Sequence, residues 1–207
     1  MRSTSFFFAL SLAALTLAQD TSLAEVKRAF DVALIPGNIS MVFEPQVLLE
    51  VTFSQPSAKP ITLRAGRQLL RNETAGPPIF NVIGARSKGP FVVATVDLDA
   101  PTPQTRTSAQ IRHFLGGNFF LETPRAPTLL TNKTVALSPF RQPTPPAGSD
   151  PHRYVFLLFD QSNDFNGQTL VTANTSISNF NISSFASATK LGQPIGGTFM
   201  LVGPQAA

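Results

Sequence analysis

The sequence predicts a mainly β protein: an antiparallel β-sandwich with short peripheral helices near its N- and C-terminal ends. Three observations carry this reading. Apolar residues alternate or run on over strand-length stretches, while helical spacing is confined to two short segments. The 207 residues include 18 Pro, 13 Gly and 37 Ser plus Thr, so turns recur at short intervals. The 18 Phe, against one Tyr and no Trp, supply core material for a chain with no cysteine to crosslink it. With 43% hydrophobic and 14% charged residues, the composition is too apolar for disorder. A domain of this length buries roughly 70% of its unfolded surface, so it needs neither metal nor crosslink to hold a core.

The elements follow in order. Met1 and Arg2 precede Phe6–Leu17, an apolar run of 12 residues, and Thr16 and Ala18 occupy the small-residue positions before a cut between Ala18 and Gln19. This predicts a secretory signal over residues 1–18 and a mature, secreted domain over residues 19–207; a buried N-terminal helix is the alternative. The run is shorter than the roughly 20 residues of a membrane span. Ser22 and Glu25 then form a capping box, and Leu23, Val26 and Phe30 follow at helical spacing, predicting a helix over about residues 23–31. Val47–Phe53 sets Leu49, Val51 and Phe53 on one side and Glu50 and Thr52 on the other, which is strand alternation. Phe91–Asp97, His113–Phe120 and Tyr154–Phe159 are further strands, the first and last apolar enough to be covered on both faces. Turn-rich Ala100–Ser108 and proline-rich Pro143–Pro151 lie between them. Ile182, Phe185 and Thr189 predict a second short helix that stops at Gly192.

Asn38, Asn72, Asn132, Asn174 and Asn181 each begin an N-x-S/T acceptor, five of the ten asparagines where chance gives about two. Such acceptors have meaning for a chain that enters the secretory route. The net charge of +4 falls to +3 when Arg2 leaves with the signal. Arg64, Arg67 and Arg71, the densest basic stretch, lack the aromatic interleaving and charge of a nucleic-acid groove and suit a solvated face.

Much chemistry is excluded. Without Cys there is no thiol nucleophile or thiolate metal site, and no G-x-S-x-G elbow or phosphate-binding glycine loop occurs. His113 and His152 stand 39 residues apart, so no H-E-x-x-H metal helix exists. No metal and no cofactor is expected. What remains sits at strand ends: Asp97, Leu98 and Asp99 close one strand, His113 begins the next, and His152, Arg153 and Tyr154 open another after Pro145 and Pro146. If these strands are neighbours, two imidazoles and a phenol meet at one rim as donors to an oxyanion, with Asp97 fixing one tautomer. Each residue also has a plainer use. Asp97 and Asp99 suit an Asx turn, His113 a satisfied core position, and Tyr154 packing.

Val96–Pro101 resembles the D-P-D-x-P motif of the phosphatidylethanolamine-binding protein family, which includes Raf kinase inhibitor protein and a yeast inhibitor of carboxypeptidase Y. Gly148–Tyr154 resembles its G-x-H-R signature with two extra residues, and His113, Phe114 and Leu115 match its H-F-L strand. Leu191–Phe199 resembles its C-terminal L-G-x-P-V-A-G-x-F element, so the likeness runs from about Val26 to Phe199. The resemblance implies an antiparallel β-sandwich with a small preformed cavity for phosphate groups, lined by Asp97, Pro101, His113, Pro146, His152 and Tyr154. Asp99 and Arg153 would form a supporting ion pair behind the wall. Leu98 replaces the motif's second residue, Asp150 falls where a glycine is common and would repel phosphate or pair with Arg153, and Met200 stands where some relatives place a cavity tyrosine.

The function expected is that of a non-catalytic binding protein for phosphate or phospholipid head groups. Its alternative is an inhibitor of a serine carboxypeptidase acting through surface contacts. Nucleic acid is not an expected partner, and no integral membrane segment is predicted.

Overall fold

A computed structural model of the chain describes residues 19–123 and 127–205. The predicted signal, residues 1–18, lies outside the described residues. Among those described, no helix is long and apolar enough to cross a membrane.

Among the described residues nine strands form one sheet: β1 (Leu48–Phe53), β2 (Ile61–Thr62), β3 (Arg67–Leu69), β4 (Ile79–Ile83), β5 (Phe91–Asp97), β6 (Ile111–Leu121), β7 (Thr128–Asn132), β8 (His152–Asp160) and β9 (Gly196–Val202). Their order is β2-β1-β4-β7-β6-β5-β8-β9-β3. The expected sandwich of two antiparallel sheets is instead one sheet curled on itself. β7 is the reason, because Thr128 and Leu129 pair with β4 while Leu130, Thr131 and Asn132 pair with β6. The sheet is also mixed: β3 runs parallel to β9, and the other pairs are antiparallel.

Curling brings the two halves face to face. Leu49, Val51 and Phe53 of β1 are buried as the alternation predicts, and Glu50 and Thr52 lie half-buried on the other side. With Phe80 and Val82 of β4 they pack on Phe156 and Leu158 of β8 and on Met200 and Val202 of β9. The Phe156 ring lies 6.4 Å from Phe53 and 6.3 Å from Phe80. The Ile195 carbonyl ties the halves at their entrance, accepting from Gln46 N–H and Val47 N–H at 2.7 and 3.1 Å.

A second core fills the opposite face of β5 and β8. Val92, Ala94, Val96, Val155, Leu157 and Phe159 pack there against three short helices, α1 (Leu23–Val32), α2 (Ile35–Ile39) and α3 (Ile182–Ala188). That second cover is why every residue of β5 is buried, and why its sequence is a continuous apolar run. The Ser22 side chain caps α1 by accepting from Glu25 N–H. Phe30 of α1 stacks on Phe43 at 3.9 Å and meets Phe199 edge-on at 5.4 Å. The second predicted helix ends at Ala188 with Thr189 as its cap, short of Gly192. Gly117, in the middle of β6, allows Phe165 to lie directly against the strand; a Cβ there would strike that ring.

Candidate functional site

β5, β6 and β8 are neighbours in the order β6-β5-β8, so the end of one and the beginnings of the other two share a rim. Asp97 lies across from Ile111 of β6 and Tyr154 of β8. Simple alternation from the core residue Phe114 would turn His113 to the other face. A bulge prevents this: Thr95 pairs with Phe114 and Val96 with Arg112, which leaves His113 as the extra residue. His113 therefore shares a face with Tyr154, their rings meeting edge-on at 5.0 Å, while the His152 ring lies 6.2 Å from Tyr154 and nearly parallel to it.

These side chains border one cavity of about 480 Å³, lined by Asp97, Ala100, Pro101, Ile111, His113, Arg141, Gln142, Thr144, Pro146, His152, Tyr154 and Ile177. All six residues named from the sequence as cavity-lining stand on its wall. Sequence reasoning did not name the other six, and of these Arg141 and Ile177 come from segments with no motif of the site. Arg141 reaches the site because Arg141 N–H donates to the His113 carbonyl at 2.8 Å, and Ile177 because its carbonyl accepts from Arg112 N–H at 2.8 Å. No local motif marks either position.

Hydrogen bonds sort the two imidazoles into different states. His113 Nδ1–H donates to the Arg141 carbonyl at 2.9 Å, which fixes that tautomer and leaves Nε2 without a protein partner among the described residues. Burial pushes the His113 pKa below the ordinary imidazole value; the Arg141 carbonyl and Asp97 oppose the shift, and the Arg141 and His152 charges reinforce it. His152 spends both nitrogens on the protein: Nδ1–H donates to Asp97 Oδ2 and Nε2 bonds Ser149 Oγ, each at 2.9 Å. Asp97 Oδ1 accepts from Asp99 N–H at 2.8 Å, so the residue closes an Asx turn and also orients a histidine. The Tyr154 phenol is raised far above its usual range by burial first, then by the charge and hydrogen bonding of Asp97, and so stays neutral.

Ser149, His152 and Asp97 thus stand in a nucleophile–base–acid order. Ser149 Oγ–H has two acceptors in reach, the Asp150 carbonyl at 2.8 Å and, in the Nδ1–H tautomer, His152 Nε2 at 2.9 Å. Ser149 also lies outside the cavity wall.

Asp99 and Arg153 form the expected pair, with Arg153 Nε 2.8 Å from Asp99 Oδ2 and Nη2 2.6 Å from Oδ1. Asp99 Oδ2 also accepts Arg153 N–H at 2.8 Å, and Arg106 Nε approaches Oδ1 at 3.0 Å. Burial alone would raise the Asp99 pKa, but the Arg153 hydrogen bonds and charge outweigh it and hold the carboxyl below its ordinary range. Arg153 Nη1 donates to the Ala33 carbonyl at 2.5 Å, so the pair also fastens the end of α1 behind the cavity. Asp150 does not pair with Arg153, whose carboxylate partner is Asp99. It is exposed and accepts from Gln104 Nε2 at 2.5 Å. Leu98 turns away from the site into the helix-covered core, and Met200 is buried between the sheet halves.

The curled β sheet thus carries a cavity at one strand rim, backed by the Asp99–Arg153 ion pair. The sequence profile described as "Phosphatidylethanolamine-binding protein" matches residues 45–200, and the chain belongs to that family. CEN-like protein 4 of Nicotiana tabacum is 26% identical over 163 residues, 79% of this chain and 85% of the relative. A carboxypeptidase Y inhibitor, solved in complex with its cognate proteinase, superposes with a TM-score of 0.74 at 20% identity, covering 88% of this chain and 97% of the other. The phosphatidylethanolamine-binding protein of Plasmodium vivax superposes with a TM-score of 0.64 at 15% identity, covering 87% and 98%. At these identities the structural likeness concerns the fold.

Proposed function

We propose that the chain is a secreted, non-catalytic binding protein whose cavity takes phosphate or phosphorylated head groups. The observation that carries this is His113 Nε2, a ring nitrogen with no protein partner among the described residues, on the wall of a cavity that Arg141 also lines. At about 480 Å³ the cavity falls in the lower half of the small-molecule range of roughly 300–1,000 Å³, which suits a head group better than acyl chains. Neutral His113 offers only a lone pair at Nε2, and a phosphodiester has no proton to give it. Protonated His113 donates a charge-assisted hydrogen bond. Because burial holds the free group below its usual value, affinity for glycerophosphoethanolamine rises as pH falls below about 6.5. Calorimetric titration from pH 8 to pH 5 measures this, and constant affinity across the range sinks the reading.

Exposure of the glycan acceptors supports secretion. Asn72, Asn132, Asn174 and Asn181 are exposed. Asn38 is half-buried, its Nδ2 donating to the Leu34 carbonyl at 2.5 Å and its Oδ1 accepting from Arg106. Glycopeptide mapping of the secreted chain is therefore expected to find sugar on members of the exposed set and none on Asn38.

Likeness to the carboxypeptidase Y inhibitor supports a second reading, inhibition of a serine carboxypeptidase through surface contacts. The two separate cleanly: His113→Ala weakens head-group binding at pH 5.5 and leaves surface-mediated inhibition intact.

A further inference from the structure

Arg112 follows Ile111 on β6, and its side chain lies on the face opposite the His113 cavity. It is 1% exposed, one of the largest fully buried side chains, and among the described residues it forms no ion pair. Its Nη1 and Nη2 donate to the Ser176 and Thr175 carbonyls, both at 3.2 Å, and its guanidinium carbon lies 5.0 Å from the centre of the Phe180 ring. Its Nε–H is buried with no acceptor among the described residues. The charge acting on it is that of a second cation, Arg141, and burial together with that repulsion lowers its pKa. A buried cation without a carboxylate is costly, because carbonyl dipoles and an aromatic face replace only part of the lost hydration.

Arg112 is among the residues lining a separate cavity of about 420 Å³ between α3 and the segment 170–181. Leu170, Val171, Phe180, Phe185 and Ala188 give it apolar walls, and Ser178 and Ser184 stand among the polar groups that also line it. An apolar slot ending on an uncompensated guanidinium matches a molecule with an apolar chain and a single negative head.

We propose that this cavity is a second ligand site, taking a medium-chain carboxylate with its head group on Arg112 and its chain along Leu170, Val171 and Phe185. A monoanion fits better than a phosphate, since one guanidinium supplies one charge and a planar carboxylate matches its edge. The head group reaches Arg112 by displacing the Thr175 and Ser176 carbonyls, whose bonds are at the long limit for N–H···O. Those carbonyls belong to a surface segment and turn to water, while Arg112 gains an anionic acceptor in their place. The site does not depend on the reading of the His113 cavity.

The test titrates the full mature chain with octanoate, octanol and acetate, followed by calorimetry and by NMR shifts. Octanoate is expected to saturate the protein at least about tenfold more tightly than octanol, with acetate weaker still. Ala188→Trp fills the cavity from an exposed position on α3, so it tests occupancy without disturbing the core. It is expected to abolish octanoate binding, and Arg112→Gln to remove the preference over octanol. His113→Ala is expected to change neither. Equal affinity for octanol and octanoate overturns the proposal, as does octanoate binding that survives Ala188→Trp or disappears in His113→Ala.

Discussion

Asp99→Ala is expected to destabilise the protein by about 3–5 kcal/mol, the range for removing one partner of a buried ion pair. The Asp99 side chain is 2% exposed and accepts from three Arg153 nitrogens and from Arg106. Its loss leaves the Arg153 guanidinium, itself only 12% exposed, without its counter-charge and loosens the fastening to Ala33. Thermal denaturation should show a fall on the order of 10 °C for a chain of this length. Adding Arg153→Met should recover part of the loss, since it removes the stranded charge; no recovery would mean that the pair is not what stabilises the region. The pH dependence follows from the lowered Asp99 pKa. Its contribution is complete above the ordinary carboxylate value and disappears as pH falls through the lower folded value. Acid unfolding of the wild type should therefore include a proton uptake that Asp99→Ala lacks.

His113→Ala is expected to reduce affinity for glycerophosphoethanolamine at pH 5.5 by about 10–100-fold, the worth of one hydrogen bond to a charged group. At pH 8, where the wild-type ring is neutral, the two proteins should bind almost equally weakly. His152→Ala should behave in the opposite way. His152 is locked between Asp97 and Ser149 at 2.9 Å on each side, so its removal harms stability more than it harms the ligand contact. Measuring both variants by calorimetry and by denaturant unfolding distinguishes a contacting histidine from a positioning one. In the free protein, burial of neutral His113 contributes stability that is complete above the unfolded imidazole value of about 6.5. That stability is lost as pH falls through the lower folded value, and His113→Ala should flatten the slope there.

Legibility in the sequence was uneven for physical reasons. β5 and β8 announced themselves because strands covered on both faces need unbroken apolar runs, and both are almost wholly buried. β1 did so through its period of two. β2, β3 and β7 did not: they are two, three and five residues long and mostly polar, and pairing with a neighbour defines them more than side-chain pattern does. The continuous curled sheet was invisible for the same cause, since it depends on β7 having partners on both sides. Helix α2 escaped because Ile35–Ile39 contains a proline and a glycine within five residues.

The site divides along a similar line. Residue types near strand ends made Asp97, His113, His152 and Tyr154 candidates, and the family resemblance selected them over their plainer uses in turns and packing. Sequence alone therefore determined the family, the strand-rich class and the chemical cast of the cavity. Only the tertiary structure decided which imidazole keeps a nitrogen for a ligand, that Arg141 joins the wall, and that Arg112 is buried without a counter-ion. Those outcomes depend on a one-residue bulge and on hydrogen bonds between segments 28 to 64 positions apart. Such contacts are set by the packing of the whole sheet, and no local run of residues encodes them.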